Sequence, residues 1–120
     1  MRTYETTILV DPTLPDEKVE EVIKKVESII KNHNGSVQKI ERIGKRKLAY
    51  DIKKRTQGYY LMIEFQSTGN IAAILEHEYR LMDDVIFRYL TVVVDPKVIL
   101  YREKKAQMAL SQEPPVVVQN

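Results

Sequence analysis

Residues 37–65 read VQKIERIGKRKLAYDIKKRTQGYYLMIEF, and how this stretch folds decides how the rest of the chain can fold. Two runs rich in aliphatic and aromatic residues flank Arg55-Thr56-Gln57-Gly58, a short polar segment containing glycine. That is the pattern of two antiparallel strands joined by a turn, with the turn expected at 55–58. Gly44 interrupts the alternation of the first run and predicts a bulge or bend there. Before it Val37, Lys39, Glu41 and Ile43 are expected to share a face; after it Arg46, Leu48, Tyr50 and Ile52 are. The second run puts Tyr59, Leu61, Ile63 and Phe65 on one side and Tyr60, Met62, Glu64 and Gln66 on the other. Neither side is wholly polar, so this run predicts a central strand.

Charge singles out the same stretch. From Lys39 to Arg55 there are eight Lys or Arg (Lys39, Arg42, Lys45, Arg46, Lys47, Lys53, Lys54, Arg55) against two acids (Glu41, Asp51), a net +6 in a chain whose net charge is +2. The rest of the molecule is therefore slightly acidic, and the positive field belongs to one element.

Upstream, residues 1–10 (MRTYETTILV) predict a strand with Tyr4, Thr6, Ile8 and Val10 on one face. Pro12 and Pro15 end it. A helix should open at Pro15 or Asp16, with Asp16, Glu17, Glu20 and Glu21 near the positive end of its dipole. Val19, Val22, Ile23, Val26, Ile29 and Ile30 form its apolar stripe, and Asn34-Gly35 supplies a left-handed stop. Downstream, residues 67–70 (STGN) predict a turn into a second helix carrying Ile71, Ile74, Leu75, Tyr79 and Met82. Residues 85–94 (VIFRYLTVVV) predict a last strand closed by Asp95-Pro96. Beyond it, 97–120 should form an extension: first a basic amphipathic run, then a flexible tail around Ser111-Gln112-Glu113-Pro114-Pro115.

The order is β-α-β-β-α-β, an α+β pattern. Both helices must lie on one face of a four-stranded antiparallel sheet, because their apolar stripes need a common surface. Right-handed crossovers then place the first and third strands in the centre and the basic strand at an edge. Such an edge needs charge or a partner to protect it.

The 120 residues suit one domain with a real core, at 43% hydrophobic and 30% charged. No run approaches a membrane span, and the N-terminus is too polar for a secretory signal. The chain has no cysteine, so disulfides and thiolate chemistry are excluded. His33 and His77 lack a second ligand at metal-site spacing, and Glu76 and Glu78 point away from each other on a helix. No phosphate loop or nucleophile elbow is present. No cofactor, metal, membrane or small-molecule substrate is expected, and no enzyme, although small phosphatase-like enzymes share this fold class.

The basic ribbon can be read as a solvated edge, as a membrane-surface patch or as a nucleic-acid interface. Lys and Arg neutralise phosphates without reading sequence, and the interleaved Tyr50, Tyr59 and Tyr60 offer surfaces for unstacked bases. This favours RNA. Tyr4 is open to two readings, core or contact residue. Arg80 and Arg88 could extend the field or pair with Asp83 or Asp84. A protein-interaction or regulatory domain that binds no RNA is the rival from another class.

Met1-Arg2 with Tyr4-Glu5, the segment Gly44-Lys45-Arg46-Lys47-Leu48-Ala49-Tyr50-Asp51-Ile52, Gly58-Tyr59-Tyr60, Tyr79-Arg80-Leu81 and Asp84-Val85-Ile86 together resemble the bacterial ribosomal protein family numbered six of the small subunit. The resemblance spans roughly residues 1–95 and implies a ferredoxin-like fold. It also implies binding to the central domain of 16S ribosomal RNA alongside the small-subunit protein numbered eighteen, hence a cytoplasmic, ribosomal location. Matched by position, Arg2, Tyr4, Arg46, Leu48, Ala49, Tyr50 and Arg80 fall on family positions. Two departures stand out: Asp51 where proline is common, and Phe87 between Val85-Ile86 and Arg88, which by simple alternation turns Arg88 toward the helices.

The expected RNA contacts are therefore Arg2, Tyr4, Lys45, Arg46, Lys47, Tyr50, Lys53, Lys54 and Arg80, gathered on one patch beside the start of the chain. Leu48, Tyr50, Tyr59 and Tyr60 are expected to receive the partner protein. Residues 1–96 form the binding domain, with 97–120 appended.

Overall fold

The computed structural model describes residues 1–98, 100, 101, 104 and 105. Its elements run β1 (Arg2–Val10), α1 (Asp16–Asn32), β2 (Ser36–Ile52), β3 (Arg55–Ser67), α2 (Ile71–Leu81) and β4 (Ile86–Val93). The sheet order is β2-β3-β1-β4, antiparallel throughout, so β1 and β3 are central and the basic strand is an edge, as the crossover argument requires. This is the β-α-β-β-α-β ferredoxin-like α+β fold. No helix among the described residues is long and apolar enough to cross a membrane.

Alternation along the central strands builds the core. Ile8, Val10, Leu61, Ile63 and Phe65 are fully buried under Val19, Val22, Ile23, Val26 and Ile30 of α1 and Ile71, Leu75 and Tyr79 of α2. The Tyr79 hydroxyl reaches Thr6 Oγ1 at 2.9 Å, and Thr6 in turn meets Thr91 Oγ1 at 2.9 Å, so three strand and helix hydroxyls satisfy one another inside the apolar layer. Burial pushes the Tyr79 phenol well above its usual pKa, which keeps it neutral.

Asn34-Gly35 makes the expected stop of α1, and local chemistry departs from the expected positions at the hairpin turn and at Gly58. Asn34, at φ 63°, is the left-handed residue that ends α1. Gly35 serves a different need: a Cβ there would lie 2.6 Å from the Gln66 carbonyl oxygen and 2.7 Å from Ile30 Cγ2. The hairpin turn is Lys53-Lys54, at φ 50° and 64°, with Ile52 paired to Arg55, and not 55–58. Two-residue hairpin loops take positive φ at both central positions because that twist suits the flanking strands. Gly58, read as part of the turn, is instead a strand residue whose missing Cβ makes room for Leu9 Cδ1 and Leu48.

The register of the outer strand shifts at three places: between Val37 and Lys39, between Arg42 and Gly44, where Gly44 takes φ 95°, and between Lys47 and Ile52. The second was expected and the first was not. The extra residue brings Val37 and Ile40, not Val37, Lys39, Glu41 and Ile43, against the core. Arg42 then lies on the helix side, where Nε and Nη2 each donate to Glu20 at 2.8 Å. That bidentate pair holds Glu20 below, and Arg42 above, their ordinary pKa values.

Asp11, after β1, is nearly buried and accepts hydrogen bonds from the Thr13 amide (2.9 Å) and hydroxyl (2.7 Å). Burial raises its pKa, but those bonds and the positive charges of Arg55 and Lys53 outweigh it and leave the carboxyl below its usual value. A carboxylate with a lowered folded pKa adds stability above its unfolded value, near 3.8, and loses it as pH falls through the folded one. Thr13→Ala should therefore cost about 1 kcal/mol at pH 7. In melting curves the gap from the parent protein should close as pH drops below about 4.

After β4, Asp95 caps a short helical run: its Oδ1 accepts from the Lys97 amide at 2.8 Å, and Pro96 occupies the first helical position. The tail expected around 111–115 lies outside the described residues.

Candidate nucleic-acid interface

β2 and β3 outrun the sheet. Val10, the last residue of β1, pairs with Tyr59, so 45–57 form a two-stranded ribbon with no third strand beside it. The ribbon leans across the end of the sheet toward the opposite edge. The Lys53 ammonium donates to the Asp83 carbonyl and lies 5.3 Å from the Phe87 ring centre; Arg55 pairs with Asp11 at 3.8 Å; the Arg88 guanidinium lies 5.3 Å from the Tyr50 ring centre. These contacts set the tip near the corner where α2 ends and β4 begins.

Of the six cations within 45–57, Arg55 has an ion-pair partner, and Lys45, Arg46, Lys47, Lys53 and Lys54 have none among the described residues; within the sheet, Arg42 pairs with Glu20 and Lys39 stands opposite Glu64. Among the described residues Arg46 donates only to the Lys45 carbonyl, at 2.8 Å. Lys45 and Lys47 stand opposite Tyr59 and Gln57, while Arg46 stands opposite Gly58, so alternation sends them to both faces of the ribbon. Arg80, exposed in the last turn of α2, lies at the same end of the molecule.

Arg2 does not join them. It pairs with Ser67, and the Lys45 row lies at Tyr59, eight residues along β3, so about 27 Å of strand separates the two positions. The single patch expected beside the start of the chain is two patches, because β1 runs the length of the sheet between them. Tyr4 also departs from its expected contact role: it is 5% exposed and stacked on Phe65 with centroids 5.4 Å apart. Its ring belongs to the core.

The sheet face away from the helices is partly apolar. A groove of about 520 Å³ runs under the leaning ribbon, lined by Thr7 and Leu9 of β1, Leu48, Ala49, Tyr50 and Ile52 of β2, Tyr60 of β3, and Arg88, Tyr89 and Leu90 of β4. Leu48, Tyr50 and Tyr60 thus meet at one surface. Tyr59 does not, since it faces the helices and packs on the core. Leu90 and Val92, 62% and 41% exposed, continue the apolar surface along β4. Sequence reading missed this contribution, although period-two spacing of 88, 90 and 92 was there to be read. Arg88 faces the groove, not the helices. The register shifts between Leu9 and Val10, Ile86 opposes Val10, Arg88 opposes Leu9, and Phe87 is the extra residue of a bulge that turns the following side chains over.

No group of three or more metal-capable side chains occurs among the described residues. The geometry defines a class: a ferredoxin-like module with a cationic ribbon at one end and a partly apolar sheet face beside it. Residues 3–93 match the family described as Ribosomal protein S6. Relatives called small ribosomal subunit protein bS6 are 36% identical over 100 residues in Desulfatibacillum aliphaticivorans, 38% over 97 in Syntrophobacter fumaroxidans and 37% over 95 in Caldanaerobacter subterraneus. These matches cover 83%, 81% and 79% of this chain, and 54%, 65% and 99% of the respective relatives, so the chain spans little more than half of the first and under two thirds of the second. The crystal structure of 30S ribosomal protein S6 from Thermotoga maritima superposes with a TM-score of 0.74 at 36% identity, covering 88% of this chain and 97% of that one. The chain belongs to the ribosomal protein S6 family.

Proposed function

We propose that this chain is a structural constituent of the small ribosomal subunit, in the cytoplasm, that binds the central domain of 16S ribosomal RNA together with the small-subunit protein numbered eighteen. Residues 1–96 are the binding domain and 97–120 an extension. The observation that carries the reading is the set of five cations, Lys45, Arg46, Lys47, Lys53 and Lys54, without an ion pair among the described residues, on a ribbon that projects beyond the sheet. Lys45, Arg46, Lys47, Lys53, Lys54 and Arg80 meet phosphates at one end, and Arg2 meets them at the other. Their role is to position RNA and lower its backbone repulsion, not to read bases.

The partner protein takes the open face. Nucleic-acid-binding sheets stack bases on exposed aromatic rings, but the centre of this face offers Leu9, Leu48 and Leu90 with Tyr60 and Tyr50 at its margins. An aliphatic surface flanked by tyrosine and arginine suits a protein side chain better than a base. Leu90→Asp should leave folding within about 0.5 kcal/mol, since the side chain is 62% exposed. It should weaken binding of the partner protein at least tenfold in calorimetry while RNA binding by the chain alone persists. Unchanged partner affinity would remove this face from the site. Titration with a central-domain RNA fragment at low salt, with and without the partner, tests the whole reading. A protein-interaction domain without RNA affinity would bind the partner and ignore the fragment.

A further inference from the structure

The basic amphipathic run after β4 belongs to neither the ribbon nor the groove. Residues 97–105 read KVILYREKK, with Lys97, Arg102, Lys104 and Lys105 against Glu103, a net +3 in nine residues. With +6 on residues 39–55 and +2 over the whole chain, everything else carries −7, so positive charge collects on two separate elements. The described residues of the run, 96–98, 100, 101, 104 and 105, are helical. Tyr101, Lys104 and Lys105 follow Lys97 by four, seven and eight residues, which places all of them on one side of a helix, in a stripe about 12 Å long.

Packing does not account for this stripe. Lys97, Val98, Leu100, Tyr101, Lys104 and Lys105 are all exposed, the tyrosine by 65%, and none of the three lysines has an ion pair among the described residues. A helix this short draws its stability mainly from a surface to pack on, and none of these side chains is buried. Its root, by contrast, is fixed. Val94 is 7% exposed and its amide donates to the Thr3 carbonyl at 2.8 Å, while the Asp95 carboxylate caps the first turn through the Lys97 amide. The stripe therefore starts at the end of the sheet that holds Arg2, about 27 Å along β3 from the Lys45 row.

We propose that this helix is a further RNA contact, in which Lys97, Lys104 and Lys105 neutralise phosphates and Tyr101 stacks on an unpaired base held among them. The proposal rests on the RNA-binding reading and extends the binding surface beyond residue 96. Exposed cations repeated along one side of a helix, with no acid paired to them, suit a polyanion, and a tyrosine among them offers its ring to a base. Ribbon and helix then hold RNA from opposite ends of the sheet, and the acidic remainder of the chain repels it from the other surfaces.

The test uses the full chain, a central-domain RNA fragment and the partner protein. Lys97→Ala, Lys104→Ala and Lys105→Ala combined should weaken RNA binding on the order of thirtyfold at low salt and flatten its log–log salt dependence by about 2. Alanine favours helix, so such a loss does not come from unwinding, and the melting temperature should stay that of the parent because all three side chains are exposed. Tyr101→Ala should weaken binding about tenfold with the salt dependence unchanged, and Tyr101→Phe should keep the parent affinity, since the ring and not the hydroxyl stacks. A triple variant that overlays the parent, while alanines at Lys45, Arg46 and Lys47 lower affinity, overturns this contact and leaves the RNA-binding reading standing. Loss of affinity for the partner protein with RNA binding intact makes the helix a protein contact and overturns RNA as its occupant. If the parent chain ignores the RNA fragment, the RNA-binding reading fails, and this proposal with it.

Discussion

Replacing Lys45, Arg46 and Lys47 together by alanine is expected to lower affinity for a central-domain RNA fragment on the order of a hundredfold at low salt and to flatten the log–log salt dependence by about 2. The expectation follows from three exposed cations on a ribbon that runs beyond the third strand, with no carboxylate paired to them among the described residues. Melting temperature should hardly change, because none of the three side chains is buried. Their split between two faces makes the comparison of part-variants informative. If RNA lies along the helix-side face of the ribbon, Lys45→Ala with Lys47→Ala reproduces most of the loss; if along the groove side, Arg46→Ala does. A triple variant whose salt titration overlays that of the parent would show that the ribbon does not touch phosphate.

Gly35→Ala should produce the largest loss of stability, about 2–3 kcal/mol, because the new methyl meets a backbone oxygen as well as a side chain. The Gln66 carbonyl is held in the β3 ladder and Ile30 is fully buried, so neither can give way cheaply. The Gly35 amide also donates to the Ile30 carbonyl at 2.8 Å, which fixes the chain where α1 turns into β2. Denaturant unfolding would register the effect as a lower midpoint with unchanged slope. Gly69→Ala is the contrasting control: nothing lies within 4 Å of its would-be Cβ, and the cost there is confined to backbone strain at φ 71°.

The strand order and the core faces of β1, β3 and the two helices could be read from the chain because burial imposes a period of two or about three and a half, and a period survives small errors of position. Bulges break that reasoning. One extra residue at Gln38 redirected Arg42 toward Glu20, and one at Phe87 turned Arg88 to the groove; neither position bears a glycine to announce it, as Gly44 does. The turn was misplaced for a related reason. In sequence Gly58 signals a reversal, but its lack of a side chain answers to Leu9 on the neighbouring strand, and the reversal is made by two lysines. The binding residues were recognisable by charge, yet their grouping depends on where β1 begins relative to the ribbon. Only pairing of Arg2 with Ser67 and Val10 with Tyr59 reveals that separation.

The tip of the ribbon places two aims of one sequence in conflict. Left-handed backbone costs an ordinary L-residue about 1 kcal/mol, and asparagine followed by glycine would adopt it more readily than Lys53 followed by Lys54. Those residues would take both positive charges from the tip of the ribbon. A sequence chosen for rigidity alone would thus be neutral at that tip, whereas this chain keeps it cationic on a mildly strained bend, steadied by the grip of Lys53 on Asp83 and Phe87.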